Sequence, residues 1–269
     1  VSEYAHGRTP NPCVRCNSNT KFRDLLSRGK ALGCDRIATG HYVRVSHSPN
    51  ETILLRGLDE DKDQSYFLWG LPNEILPWLL FPLGQLTKDQ VREQARQLDL
   101  STADKPESQD ICFVPTGNYR DLLRKKLGDV HPALESGEIV RSTGEIVGRH
   151  SGFAGFTIGQ RRGLGGGFSE PMFVLGIRPD TREVVVGTQD ELFGTQVTVR
   201  ELNWLTTPPQ ADAEVKVQLR YRAPAVTATV IDIQEDLTLS LGAAQPAITP
   251  GQSAVVFCEE QIIGGGRIV

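Results

Sequence analysis

The fold class this sequence predicts is an α/β region followed by a β-rich remainder that ends in a small barrel, and three observations predict it. Mixed helix and strand signals run from about residue 20 to residue 114. One more helix-compatible stretch, YRDLLRKKLG, follows at 119–128. Beyond it, glycine and β-branched residues dominate and turn signals recur every few residues.

In chain order, Phe22, Leu25, Leu26 and Leu32 fit the apolar face of a short amphipathic helix, and CDRIATGHYVRV (34–45) reads as a buried strand running into a loop. Thr87 with Gln90 three residues later is a capping-box signature, and Val91, Ala95 and Leu98 would share one helical face behind it. From about residue 190, VKVQLRYR (215–222), VTATVIDI (226–233) and SAVVFCEE (253–260) alternate as short strands do, with PG and GGG turns nearby; a small β-barrel accounts for them. The chain opens instead on a polar stretch and a proline-rich turn. An α/β domain normally begins with a strand and a ligand-binding loop, so an upstream segment is expected.

Composition bounds the function. With 269 residues, 39% of them hydrophobic, the chain can bury one large core or two to three smaller ones. No apolar run is long enough to span a bilayer and no signal-like leader is present, so a cytoplasmic location away from membranes is expected. Five scattered cysteines suit reduced thiols better than a disulfide framework. A net charge of −4 gives no global attraction for nucleic acid, so any such partner needs local basic patches.

Cys13 and Cys16, in CVRC, have the spacing of zinc knuckles and of redox pairs, but no second ligand pair follows to close a zinc site; a redox pair and two unreactive loop thiols both stay open. Cys34 and Cys258 lie in or beside apolar segments, as packed thiols do, whereas Cys112 follows a polar stretch and suits either a strand mouth or a core. GLGGG (163–167), beside Arg161 and Arg162, could cradle a phosphate through its backbone, yet it matches neither nucleotide fingerprint, and a flexible loop is the commoner explanation. In VKVQLRYR, alternation sets Val215, Val217, Leu219 and Tyr221 against Lys216, Gln218, Arg220 and Arg222, a basic stripe or simply a solvated face. His41 follows a glycine after an apolar strand, where α/β ligands often sit, although a structural histidine fits too.

Eight stretches in order, GRTPNPCVRCN, ATGHYVRV, DKDQSYFLWGL, FPLGQLTKDQVREQA, SQDICF, TIGQRRGLGGG, LRYRAPA and TPGQSAVVF, resemble the tRNA-specific 2-thiouridylase family over essentially the whole chain. The resemblance implies the remainder of an ATP-pyrophosphatase α/β domain of the adenine nucleotide alpha hydrolase type (1–114), a small central tRNA-binding domain (115–188) and a C-terminal β-barrel (189–269). The family's SGGVDSS-type phosphate loop does not occur in this sequence, which keeps a catalytically inactive tRNA-binding fragment as an alternative. The implied activity is a transferase reaction: ATP-dependent thiolation of the wobble uridine, with magnesium accompanying ATP and a persulfide relay or cysteine desulfurase supplying sulfur. Carried over motif by motif, Cys16 is the nucleophile and Cys112 bears the persulfide, Cys16 either freeing sulfide at the activated carbon or resolving the product as a Cys16–Cys112 disulfide. Gly40 borders ATP, and Asn11, Pro12 and Cys13 meet the target base. His41, Lys62, Asp63, Gln64, Arg220, Tyr221 and Gln252 meet tRNA. Arg220 and Tyr221 would face opposite ways in a regular strand, which a strand end or bulge would reconcile. Some family members carry aspartate at the position of Cys13. A cysteine there adds a third thiol, so Cys13, Cys16 and Cys112 could instead hold an iron–sulfur cluster in a thiolase that uses no persulfide.

Overall fold

The computed structural model describes residues 1–106, 119–128 and 130–269. After a single turn, α1 (Ser2–Ala5), helix α2 (Pro12–Arg15) passes into a π-helical segment (Cys16–Lys21) and then into α3 (Phe22–Ala31). Proline at the first position of α2 suits a helix start, since that N–H would have no helical acceptor. Phe22 is fully buried and Leu26 packs on the core. Leu25, however, is exposed, and Leu32, just past the end of α3, is 81% exposed, so the apolar stripe is narrower than the sequence predicts.

Two short strands, β1 (Ile37–Ala38) and β4 (Leu79–Leu80), pair in parallel. CDRIATGHYVRV is therefore two strands: its second half opens a hairpin of β2 (Val43–His47) and β3 (Thr52–Arg56) that belongs to another sheet. Helix α4 (Lys88–Gln97) starts where the sequence predicts: Thr87 Oγ1 accepts from the Gln90 amide at 3.3 Å and Gln90 Oε1 from the Thr87 amide at 2.8 Å. No residue of α4 is buried, so Val91, Ala95 and Leu98 form no core face.

Helix α5 (Tyr119–Leu127) buries Leu123 against the middle sheet, made of β5 (Gly137–Arg141), β6 (Ile146–His150), β7 (Phe173–Arg178) and β8 (Glu183–Gly187) in the order β6-β5-β8-β7. The barrel comprises β9 (Phe193–Trp204), β10 (Glu214–Gln218), β11 (Val226–Ile233), β12 (Leu237–Pro246), β13 (Ser253–Cys258) and β14 (Gln261–Ile268). It closes because β13 pairs with both β10 and β14. The α/β plus β layout is as expected.

Two features escape the sequence pattern. β3 adds to the barrel at β14 through Leu55 opposite Gln261, so the hairpin extends the barrel sheet. One hydrophobic core accordingly takes Phe22, Leu54, Tyr66, Leu68 and Leu79 from the first part of the chain together with Leu205, Val255, Phe257 and Ile262 from the barrel.

Candidate functional site

The opening motif is held at both ends. The Thr9 amide donates to Pro250 O at 2.9 Å, and Gln252 Nε2 donates to Thr9 O at 2.8 Å, so the TPGQ turn grips the loop that carries Asn11 and Pro12. Gly251 makes this approach possible: its φ is +93° and a Cβ there would lie 2.8 Å from Thr9 O. Cys13 is exposed on α2. Cys16, half-buried, begins the π-helical segment, a widened turn of the kind that often marks functional positions. The local cause is polar side chains folded into the helix. Ser18 Oγ donates back to Val14 O at 2.9 Å, and buried Asn17 reaches Phe67 O at 3.2 Å.

From the end of the π segment onward, Lys21, Phe22, Asp24 and Arg28 line a pocket of ≈ 560 Å³ with Thr39, Gly40, His41 and Gln64; neither Cys13 nor Cys16 lines it. Gln64 is locked there, its amide N donating to Tyr42 O and its Oε1 accepting from Tyr42 N, both at 2.9 Å. His41 Nδ1 lies 2.9 Å from Thr39 Oγ1, with the rings of Phe22 and Phe81 at 5.3 and 6.2 Å. Burial, reinforced by the Lys21 charge, pushes its pKa down to about 4, so the imidazole is neutral at pH 7.

Asp63 points inward. Its carboxylate accepts from the amides of Gly57 (2.9 Å) and Ser65 (3.0 Å), from Ser65 Oγ (2.6 Å) and from Arg56 Nη1 (2.9 Å). Arg56 also donates to Gln218 Oε1 at 3.2 Å and lies 3.6 Å from the centre of the Phe257 ring; Gln218 Nε2 in turn donates to Arg220 O at 3.2 Å. This chain of bonds ties the Lys62–Asp63–Gln64 loop to the Arg220–Tyr221 turn. Gln218 is 5% exposed, so it does not face outward with Lys216, and neither a basic stripe nor a solvated face runs along the whole segment. β10 ends at Gln218, and Arg220 and Tyr221 sit in the turn beyond, which removes the conflict between their facings.

Tyr66, which sequence reasoning missed, joins these segments. It is 1% exposed, its hydroxyl donates to Ser253 O at 3.0 Å and meets the Asn11 side chain, and its ring packs on Phe67 and Tyr221. Its pKa is pushed up to about 12, chiefly by burial. Nothing in DQSYFLWGL separates Tyr66 from ordinary core residues; only its tertiary partners do. Arg56 and Thr9 were missed for the same reason. On the other side of the opening loop, Asn11 and Pro12 help line a second cavity of ≈ 530 Å³, with Trp69, Tyr119, Asn203 and Arg267.

The remaining thiols change the sequence reading. Cys34 and Cys258, expected in the core, are both exposed, because Cys34 lies in the turn after α3 and Cys258 is the last residue of β13. Cys112, with its predicted persulfide, disulfide and cluster roles, lies outside the described residues. Among the described residues, no group of three or more His, Cys, Asp or Glu side chains is arranged to hold a metal ion.

Three family models match the chain: a tRNA methyl transferase HUP domain over residues 1–116, a tRNA methyl transferase PRC-barrel domain over 124–188, and an aminomethyltransferase beta-barrel domain over 194–268. The chain is similar along its whole length to curated relatives. It is 46% identical to the tRNA-specific 2-thiouridylase MnmA of Acidithiobacillus ferrooxidans, covering 76% of that protein. It is 45% identical to the enzyme of that name from Rhodospirillum centenum (70% covered) and 43% identical to that from Rickettsia massiliae (73% covered). On this similarity, carried through all three parts of the fold, the chain belongs to the tRNA-specific 2-thiouridylase family.

Proposed function

We propose that this chain is a tRNA-uridine 2-sulfurtransferase that replaces the 2-oxygen of the wobble uridine with sulfur at the expense of ATP. Family membership supports the activity. The observation that carries the grouping of residues is Tyr66, on which the Asn11 loop, the Tyr221 turn and the barrel strand of Ser253 converge.

The uridine C2 carbonyl is a poor electrophile with a poor leaving group, so its oxygen first attacks the α-phosphorus of ATP, releasing pyrophosphate and leaving C2 bonded to an adenylate. A persulfide on Cys112, charged by a sulfur-donor protein, then attacks C2 through its outer sulfur and AMP departs. Thiolate Cys16 attacks the inner sulfur, that of Cys112, breaking the sulfur–sulfur bond; the electron pair stays on the outer sulfur as the 2-thiouridine forms, and a Cys16–Cys112 disulfide remains for an external thiol to reduce. The half-buried setting of Cys16 at the π segment favours it over exposed Cys13 as the positioned thiol.

The Lys21–Arg28–Gly40 pocket has the size for the nucleotide and offers it Lys21 and Arg28 against one acid, Asp24; Gly40 would border ATP, and His41 and Gln64, on the same wall, would meet RNA. Magnesium would ride on the phosphates, as it commonly does, and no residue is assigned to it. The iron–sulfur alternative depends on Cys112, which lies outside the described residues. Asn11, Pro12 and Cys13 face the target base, and Lys62, Arg220, Tyr221 and Gln252 meet tRNA. Asp63, its carboxylate already engaged by four donors, acts by holding the Lys62–Gln64 loop. Among the described residues no helix is long and apolar enough to cross a membrane, and a cytoplasmic site is proposed because tRNA is the substrate.

The test is thiolation of tRNA with ATP and a sulfur donor by the full-length protein. Cys16→Ser and Cys112→Ser should each abolish 2-thiouridine while leaving tRNA affinity within about twofold, whereas Cys13→Asp should keep activity. Normal thiolation by Cys16→Ser would remove it from the mechanism.

A further inference from the structure

TIGQRRGLGGG (157–167) has no part in the chemistry above, yet its position is distinctive. It leaves the seam between two proposed RNA-facing segments. Thr9 Oγ1 lies 3.4 Å from Thr157 Oγ1, and a Cβ on Gly159 would lie 2.8 Å from Ala247 Cβ and 4.0 Å from the Arg220 guanidinium. Two residues on, Arg161 and Arg162 are exposed, and their guanidinium groups make no hydrogen bond or ion pair among the described residues. Other arginines of the middle sheet are neutralised: Arg141 by Glu145, Arg149 by Glu138, Arg178 by Glu183 and Arg182 by Glu135.

The loop that follows is anchored at both ends. Leu164 and Met172 are 4% and 2% exposed in the middle-sheet core, and Phe168 packs against it. Between the anchors, Gly165, Gly166 and Gly167 take φ of +89°, +80° and +88°, with no heavy atom within 4 Å of where a Cβ would stand. Space does not select glycine there; the left-handed backbone does. Among the described residues the amides of Gly165, Gly166 and Gly167 donate to no acceptor, and unengaged amides and guanidinium forks are groups that bind phosphate oxygens. The depression of ≈ 620 Å³ that these glycines line carries Arg161 and Glu170, one positive charge against one negative, and exposed Arg162 adds a second positive charge beside it in the chain.

We propose that Arg161, Arg162 and the amides of Gly165–Gly167 form a clamp for the phosphodiester backbone of RNA, continuing the Arg220–Tyr221 surface onto the middle sheet. The inference rests on tRNA being the substrate. Contacts of this kind position the RNA without reading its sequence.

Equilibrium binding of the full chain to tRNA, measured across potassium chloride concentrations, tests it. Each lost phosphate contact lowers the slope of log affinity against log salt by about 0.7 to 0.9. Arg161→Ala with Arg162→Ala should therefore lower it by about 1.4 to 1.8 and weaken binding roughly tenfold at moderate salt. A control with the same loss of charge, Arg149→Ala with Arg178→Ala, should keep the wild-type slope. An unaltered slope in the Arg161/Arg162 variant, or an equal fall in the control, overturns the clamp while leaving the substrate reading intact. Failure of the unsubstituted chain to bind tRNA overturns the substrate reading and the clamp with it.

Discussion

Burial decides what His41 can do. An imidazole pressed against Phe22 and Phe81, near the Lys21 ammonium, keeps its charged form out, so at neutral pH it offers one donor and one acceptor rather than a cation. The same shift predicts a pH dependence. Its folded-state pKa, about 4, lies below the ordinary 6.5, so between these values the unfolded chain binds more protons than the folded one. The His41 contribution to stability is therefore intact above pH 6.5 and is lost as pH falls toward 4. Lys21, Asp24 and Arg28 share its pocket, so the effect is read as a difference: His41→Gln should lose less unfolding free energy than wild type between pH 7 and pH 5 in urea titrations. Parallel pH curves for the two proteins would show that His41 stays protonated in the fold. Single residues were legible as types in the sequence, but their directions were not. Asp63 sits in a motif expected to touch RNA, yet four donors of its own chain turn the carboxylate inward.

At the scale of elements, local signals survived folding best. The Thr87–Gln90 capping box satisfies two helix-end amides through contacts only three residues apart, so it could be read directly and α4 begins beside it. α4 buries no residue, and besides the capping box its start is pinned by the Lys88 amide, which donates to Asp59 Oδ2 at 2.8 Å. Thr87→Ala should cost about 1 kcal/mol of stability and should raise hydrogen exchange in the first turn of α4 above all. Uniform protection across that turn in the variant would assign its stability to other contacts. Elements defined by distant partners were read less well. Alternation places Gln218 with Lys216 on an outer face, but β10 ends at Gln218, where Arg56 of β3 reaches across to engage it. The parallel pairing of β5 with β8 joins strands separated by β6, β7 and their loops, and no sequence period encodes such a partner. The π-helical segment at Cys16 was equally hidden, because buried Asn17 and Ser18 look like loop residues until their bonds to Phe67 and Val14 are known.

Taken as a whole, the molecule does not divide where its composition changes. β3 pairs with β14, the Arg56 amide donates to Glu260 O at 2.9 Å, the TPGQ turn of the barrel grips Thr9, and one core draws on both the opening segment and the barrel. The proposed base-facing loop, nucleotide pocket and RNA-facing turn thus stand on a shared foundation, and loosening the barrel should loosen all three. Phe257 is the place to strike: it is fully buried in β13, belongs to that common core and lies beneath the Arg56 guanidinium that holds Asp63. Phe257→Ala should cost about 3 to 5 kcal/mol, as large-to-small changes at buried aromatic sites do. The loss should register together in hydrogen exchange of β3 and in exchange of β11 and β12 on the barrel. Separate cores would instead let β11 and β12 keep wild-type protection while β3 exchanged early. That outcome would mean that the hairpin rests on the barrel without sharing its stability, and that the RNA-facing turn and the nucleotide pocket can move independently.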